Sequence, residues 1–145
     1  MKELLYLKDD QLKEFIEKIF ISYRETFFDA KKILDKHSIG IAHHKVIHLL
    51  SIYEGITISK LLKKLKVTKQ SLNRVLKDLI KLEAIKFKKN EKDTRLKHVY
   101  LSDKGLKLFN EIFSIQKKRI YKALLNSTSK EVLYFNNVLK KIINE

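Results

Sequence analysis

The run TKQSLNRVLKDLIK, Thr68 to Lys81, separates into two faces. Leu72, Val75, Leu76, Leu79 and Ile80 recur at i, i+3, i+4, i+7 and i+8, the spacing of a helix with one apolar stripe. Lys69, Gln70, Ser71, Asn73, Arg74, Lys77 and Lys81 fall on the opposite face. Thr68 stands where its hydroxyl can accept an N–H of the first turn, which fixes the start of the helix. Just before it, Ser59 to Leu65 reads as a short helix with Leu61, Leu62 and Leu65 inward, and Lys66-Val67 makes the turn between the two.

Beyond Glu83 the period changes to two. Ile85 and Phe87, then Val99 and Leu101, alternate with Lys86, Lys88, His98 and Tyr100, so two strands are expected. Asn90-Glu91-Lys92-Asp93-Thr94 is the polar tip between them. Upstream, a helix is expected from about Ala42 to Tyr53, with Val46, Ile47, Leu49, Leu50 and Tyr53 inward. Glu54-Gly55 closes it, Gly55 being suited to a left-handed backbone. Helix, short helix, turn, polar-faced helix and basic hairpin, in that order, describe a winged helix-turn-helix. A helix about 10 Å across fits the major groove of duplex DNA. Short polar side chains near its start can then reach base edges, while Lys and Arg contact phosphates.

The flanks are helical too. Asp10 to Lys36 reads as one long amphipathic helix ended near His37-Ser38 and Gly40. Ser102 is expected to cap a helix running to about Asn126, and Thr128 to Glu131 forms a capping box that opens a last helix reaching Ile143. These segments are apolar over more than one face, with Leu106, Phe109, Ile112 and Phe113 in one and Leu133, Phe135, Val138 and Ile142 in another. A monomer of 145 residues has no obvious place to bury them all, and a two-fold homodimer interface would do so. The expected fold class is α+β, mainly α, in a single domain spanning 1–145. Within it, 41–101 is the winged helix-turn-helix lobe, and 1–40 with 102–145 is the dimerisation region.

Composition agrees. Prolines are absent and there are three glycines among many Lys, Leu, Ile and Glu, as in a mostly helical chain. The formal charge of +15 is unevenly spread. Lys60 to Lys107 holds 16 basic and 5 acidic residues, a net of +11, against +4 in the remaining 97 residues. Compositional drift toward Lys would spread charge evenly, so this concentration points to a polyanionic partner. The absence of Cys excludes disulfides, thiolate metal sites and thiol redox switches. No apolar run follows Met1-Lys2-Glu3, and none elsewhere is long enough to cross a bilayer. Neither a signal peptide nor a membrane partner is expected, and the cytoplasm is the expected location.

The chain resembles the MarR family of bacterial regulators over nearly its whole length. The resemblance rests on Thr68-Lys69-Gln70-Ser71 through Arg74, Leu79 and Ile85, on Asp93-Thr94-Arg95, and on Leu101-Ser102-Asp103-Lys104-Gly105. Ile58-Ser59-Lys60-Leu61-Leu62 matches the family's short helix, and Thr128-Ser129-Lys130-Glu131 stands where its last helix begins. The resemblance implies that Thr68, Lys69, Gln70, Ser71, Asn73, Arg74 and Lys77 meet the major groove of double-stranded DNA. It places Arg95 in the minor groove with Asp93 holding its guanidinium, and Lys88 and Lys97 beside them on the hairpin. It also implies a homodimer whose terminal helices interlock, a pseudo-palindromic operator, a repressor output and a small-molecule effector that tunes affinity.

Two departures stand out. The family usually carries Gly where this chain has Glu83, and Glu resists the left-handed conformation, so the helix end is expected to shift by a residue or two. Phe87 replaces a frequent Arg and is expected to pack under the wing, leaving phosphate contacts to Lys88 and Lys89.

His44 and His48 lie four apart on one helix face and could hold zinc with a carboxylate from elsewhere. No acidic companion or HExxH pattern accompanies them, so they are read as core or interface histidines and no metal or cofactor is expected. No phosphate loop, nucleophile motif or paired carboxylates suggest an enzyme. Two readings stay open beside the DNA-binding one: a metal-responsive regulator, and a winged-helix module that binds RNA or protein.

Overall fold

The computed structural model describes residues 4–144. A short 3-10 turn, Leu5–Leu7, precedes α1 (Asp9–Phe28), α2 (Lys31–Lys36), α3 (Ile41–Ile52), β1 (Ile56–Thr57), α4 (Ile58–Leu65), α5 (Lys69–Lys81), β2 (Ile85–Lys89), β3 (Lys97–Leu101), α6 (Asp103–Leu125) and α7 (Ser129–Ile142). The fold is mainly helical with one small antiparallel sheet, ordered β1-β3-β2. The chain divides into two units, residues 29–113 and residues 1–28 with 114–145, so α6 contributes to both. Among the described residues no helix is long and apolar enough to cross a membrane.

Residues 29–113 own the hydrophobic core. Leu34, Ile47, Leu50, Leu61, Leu72, Leu79, Val99 and Ile112 are buried around the α3–α5 helices and the sheet. Thr68 caps α5 by accepting the Ser71 N–H at 3.1 Å. Lys66, at φ +52°, makes the left-handed turn that lets α5 follow α4 at once. In the hairpin Ile85 pairs with Leu101 and Phe87 with Val99, which puts Ile85 and Val99 on the core side. Phe87 is half-buried against this core, as expected, and Lys97 Nζ sits 5.9 Å from its ring centroid.

Four readings of the sequence need correction. The single helix expected from Asp10 to Lys36 is two, broken at Asp29–Ala30. No Gly or Pro marks that break, and the apolar period runs through it. Ala30 and Leu34 belong to the core of residues 29–113, whereas α1 has no buried residue. Ile80 and Tyr53, read as inward, are exposed. Tyr53 instead lies under Lys64, whose Nζ is 4.1 Å from the ring centroid. The sheet has a third strand, β1, whose two residues are too few to show a period.

The fourth concerns Glu83. It adopts the left-handed conformation itself, at φ +59°, and α5 ends as it would with glycine. The Glu83 N–H bonds to the Ile80 carbonyl and the Ala84 N–H to the Leu79 carbonyl, both at 2.9 Å, which is a Schellman closure. Ser102 Oγ donates to the Glu83 carbonyl at 2.6 Å, and the Ser102 N–H donates to the Ala84 carbonyl at 3.0 Å. Together these bonds hold a backbone conformation that Glu alone disfavours. Ser102 Oγ also caps α6 by accepting the Gly105 N–H at 3.0 Å. Gly105 packs so closely on this turn that a Cβ would fall 1.9 Å from the Ala84 carbonyl oxygen.

The other unit has no hydrophobic core among its described residues. Among its described residues Gln116 is the only buried one, its amide donating to the Thr26 carbonyl at 3.2 Å. Leu12, Phe15, Ile16 and Phe20 of α1 and Leu133, Phe135 and Ile142 of α7 are all exposed. The capping box at the start of α7 forms in both directions, Glu131 N–H to Thr128 Oγ1 and Thr128 N–H to Glu131 Oε1.

Candidate nucleic-acid interface

The polar face of α5 is open. Lys69, Gln70, Ser71, Asn73, Arg74 and Lys77 are exposed, while Leu72, Val75, Leu76 and Leu79 on the other face are buried. Periodicity alone puts them there: burying one stripe against α3 leaves every third or fourth residue pointing away. The Thr68 hydroxyl donates to Ser71 Oγ at 2.8 Å, so the Ser71 hydroxyl keeps its own proton for an outside acceptor. Asp78, also on α5, is turned aside to His43, with Nε2 and Oδ2 2.8 Å apart. The face is thereby left cationic and polar.

The hairpin presents a second cationic group. Asp93 Oδ1 accepts from Arg95 Nε at 3.1 Å and from its backbone N–H at 3.1 Å, and Oδ2 accepts from Nη2 at 3.3 Å. The Arg95 side chain hydrogen bond, reinforced by the backbone one, holds the Asp93 carboxyl below its usual range, so it stays ionised. The Arg95 side chain is nonetheless 89 % exposed. It is oriented by one edge and free to meet an anion by the other. Lys88 and Lys97 are exposed on β2 and β3, with Lys88 Nζ 5.1 Å from the Tyr100 ring centroid.

The sequence did not single out the residues that brace these groups. His43, on the first turn of α3, meets an acidic partner distant in sequence, Asp78. Asn90, read as part of a polar tip, and His98, read as a polar position of the second strand, hydrogen-bond each other at 3.0 Å. The spacing Asn90-x-x-Asp93 was the available signal, since an Asn side chain favours accepting N–H groups two and three residues ahead. His44 is buried within α3, and His48 is half-buried with Nδ1 enclosed and its ring edge-on to Phe109, the centroids 6.3 Å apart.

Known proteins share this fold. A curated relative, the HTH-type transcriptional regulator PetP of Rhodobacter capsulatus, is 38% identical over 141 residues, covering 97% of this chain and 85% of PetP. Among solved structures, a MepR mutant from a multidrug-resistant S. aureus clinical isolate matches with a TM-score of 0.76 at 20% identity, over 90% of this chain and 95% of that one. A mutant MarR from E. coli complexed with operator DNA matches with a TM-score of 0.67 at 22% identity, over 97% and 99%. At such identities the structures establish the fold. The sequence profile described as MarR family matches residues 37–96, from the end of α2 to the wing. Taken with the PetP identity along nearly the full chain, the profile match across α3, α4, α5 and the wing shows that the chain belongs to the MarR family of transcriptional regulators, and is not an enzyme.

Proposed function

We propose that the protein is a sequence-specific DNA-binding regulator that represses transcription as a homodimer on a pseudo-palindromic operator. The observation that carries this reading is the pairing of an open polar α5 face with an Arg95 that Asp93 orients and leaves exposed. Thr68, Lys69, Gln70, Ser71, Asn73, Arg74 and Lys77 would lie at the major groove. Lys88, Lys97 and Arg95, the last oriented by Asp93, would serve the phosphates and the minor groove. The solved relative that holds operator DNA supports duplex DNA as the ligand.

Dimerisation is supported by the unit formed by residues 1–28 and 114–145. Among its described residues no hydrophobic side chain is buried, although α1 and α7 are rich in Leu, Ile and Phe. A second copy would cover that surface. A dimer seated on a promoter would exclude polymerase from the same duplex, hence repression. A cleft of about 320 Å³ lined by His37, Leu82, Ala84, Lys104, Lys107, Leu108 and Glu111 supports a small effector. Leu82 and Ala84 lie at the end of α5, so an occupant would bear on the helix that meets DNA.

Salt dependence tests the reading. Each phosphate neutralised lowers log K by about 0.9 per decade of salt. Two cationic lobes should therefore lose on the order of a thousandfold in affinity between about 50 and 200 mM salt. A flat response, or displacement from duplex DNA by structured RNA at equal concentration, defeats the proposal.

A further inference from the structure

The tip of the wing is fastened to the rest of its unit by a directional chain of hydrogen bonds that begins at Gly55. Gly55 has φ +78°, and a Cβ there would fall 2.8 Å from the Tyr100 hydroxyl oxygen. Its N–H donates to the Val99 carbonyl at 3.2 Å, so the peptide is fixed in direction. Its own carbonyl lies 2.8 Å from His98 Nδ1. A carbonyl only accepts, which places the ring proton on Nδ1 and leaves a lone pair on Nε2. That lone pair faces Asn90 Nδ2 at 3.0 Å.

The Asn90 amide has one orientation. Its Oδ1 accepts the N–H groups of Lys92 at 2.9 Å and Asp93 at 3.0 Å, so only Nδ2 can turn to His98. The backbone around it is closed by Asn90 N–H to the Leu96 carbonyl and Leu96 N–H to the Asp93 carbonyl, at 2.9 and 3.0 Å. Asp93, held by its N–H, holds Arg95 by its carboxylate. Donor and acceptor therefore match at every step from Gly55 to the exposed guanidinium.

We propose that His98 and Asn90 are positioning residues for DNA recognition: they set the aim of Arg95, and so the preference at the outer base pairs of each half-site, without touching DNA. The proposal rests on the DNA-binding reading above. His98 belongs to a strand and Asn90 to the base of the tip, so together they convert a flexible hairpin end into an extension of the sheet. Without them Arg95 keeps Asp93 as a partner, but the pair moves with the tip and meets the groove in many orientations.

The test uses a duplex that the wild-type full chain selects from a pool with a randomised centre. Titrations compare Asn90→Ala, His98→Leu and His98→Gln, each with and without Arg95→Ala. Asn90→Ala and His98→Leu should weaken binding about two- to tenfold, the range of one hydrogen bond gained or lost. They should also flatten the preference at the flanks of the selected site. In the Arg95→Ala background the same changes should have no further effect, because their role is exercised through Arg95. His98→Gln, which keeps one donor and one acceptor, should recover most of the loss. Equal losses in both backgrounds, or wild-type affinity for His98→Leu, overturn the proposal. If Asn90→Ala unfolds at the working temperature, the contrast between His98→Gln and His98→Leu decides alone. A wild-type protein that selects no duplex defeats the DNA-binding reading itself, and this inference with it.

Discussion

His43 Nε2 lies 2.8 Å from Asp78 Oδ2, joining the first turn of α3 to the body of α5. The other ring nitrogen, Nδ1, accepts the Gly40 N–H at 3.0 Å, which fixes the tautomer and puts the proton on the side of Asp78. One imidazole thus satisfies an orphan donor at a helix start and anchors the helix that carries the polar face. It also turns the one carboxylate of that helix away from where a polyanion would sit.

His43→Ala should cost about 1–2 kcal/mol of folding stability, the combined worth of a helix cap and a partly exposed hydrogen bond. Asp78→Asn, which retains an accepting oxygen, should cost much less than Asp78→Leu. Urea unfolding of the purified variants reads this directly. Equal midpoints for wild type and His43→Ala would show that the contact contributes nothing.

Glu83→Gly should stabilise the protein. Relief of a left-handed non-glycine residue is worth about 1 kcal/mol or more, offset in part by the greater freedom of Gly in the unfolded chain. The exposed ion pair with Lys104, at 3.7 Å, is a small loss. The net gain should be up to about 1 kcal/mol, a rise in midpoint of roughly 2–4 °C in a thermal melt. A lower midpoint would mean that Glu83 makes a contribution its geometry does not explain.

Gly105→Ala should be severe. The new methyl would overlap the Ala84 carbonyl oxygen, and neither partner can move without opening the α5 closure or the start of α6. A loss of about 3 kcal/mol or more is expected, enough to leave little folded protein. Gly40→Ala is the control, since nothing lies within 4 Å of a Cβ there. It should cost no more than about 1 kcal/mol, as expected for Ala at a helix start. Similar soluble yields and melts for the two would contradict the close approach at Gly105.

Much of the fold was legible because most of its elements are periodic and capped by their own residues. Thr68, Ser102 and Thr128 announce helix starts, and the change of period after Glu83 announces the hairpin. The break at Asp29–Ala30 was not legible, because it is imposed by where Ala30 and Leu34 are buried and not by a local breaker. The polar α5 residues were legible for the same reason as their apolar neighbours: a helix that buries one stripe must expose the other. Their supports were not. His43–Asp78 is 35 residues apart in sequence and His98–Gly55 is 43 apart, so only the fold brings each pair together.

Stability should fall on mild acidification, in part through His48. Burial lowers its pKa from the ordinary value of 6.5, and Nδ1 is enclosed without a hydrogen-bond partner among the described residues. As pH drops through 6.5 the unfolded chain takes up a proton that the native imidazole still refuses, so the native state loses ground. The loss levels off once pH is below the lowered native value. His48→Met, close in volume and unable to titrate, should show a shallower decline between neutral and mildly acid pH. Parallel stability curves for the two proteins would place the pH dependence elsewhere.

Arg74 and Arg95 should fail in different ways. Arg74 is exposed on α5 one turn from Ser71, where a guanidinium could reach guanine O6 and N7. Arg74→Ala should therefore cost about 1–3 kcal/mol on the selected operator and relax discrimination at one or two positions in each half-site. Arg95 is on the wing, where an exposed planar cation suits a narrow A·T-rich minor groove. Arg95→Ala should lose a similar amount, with the lost preference at the flanks. Asp93→Ala separates orientation from simple charge. Removing a carboxylate near phosphate should tighten binding if the wing is only a cationic clamp, whereas loss of the two bonds to the guanidinium should weaken it if Arg95 must be aimed. The arrangement of Asp93 and Arg95 predicts the second outcome, a milder copy of Arg95→Ala. Titrations against single-base operator variants decide it: tighter specific binding by Asp93→Ala would leave the wing with an electrostatic role and no part in reading sequence.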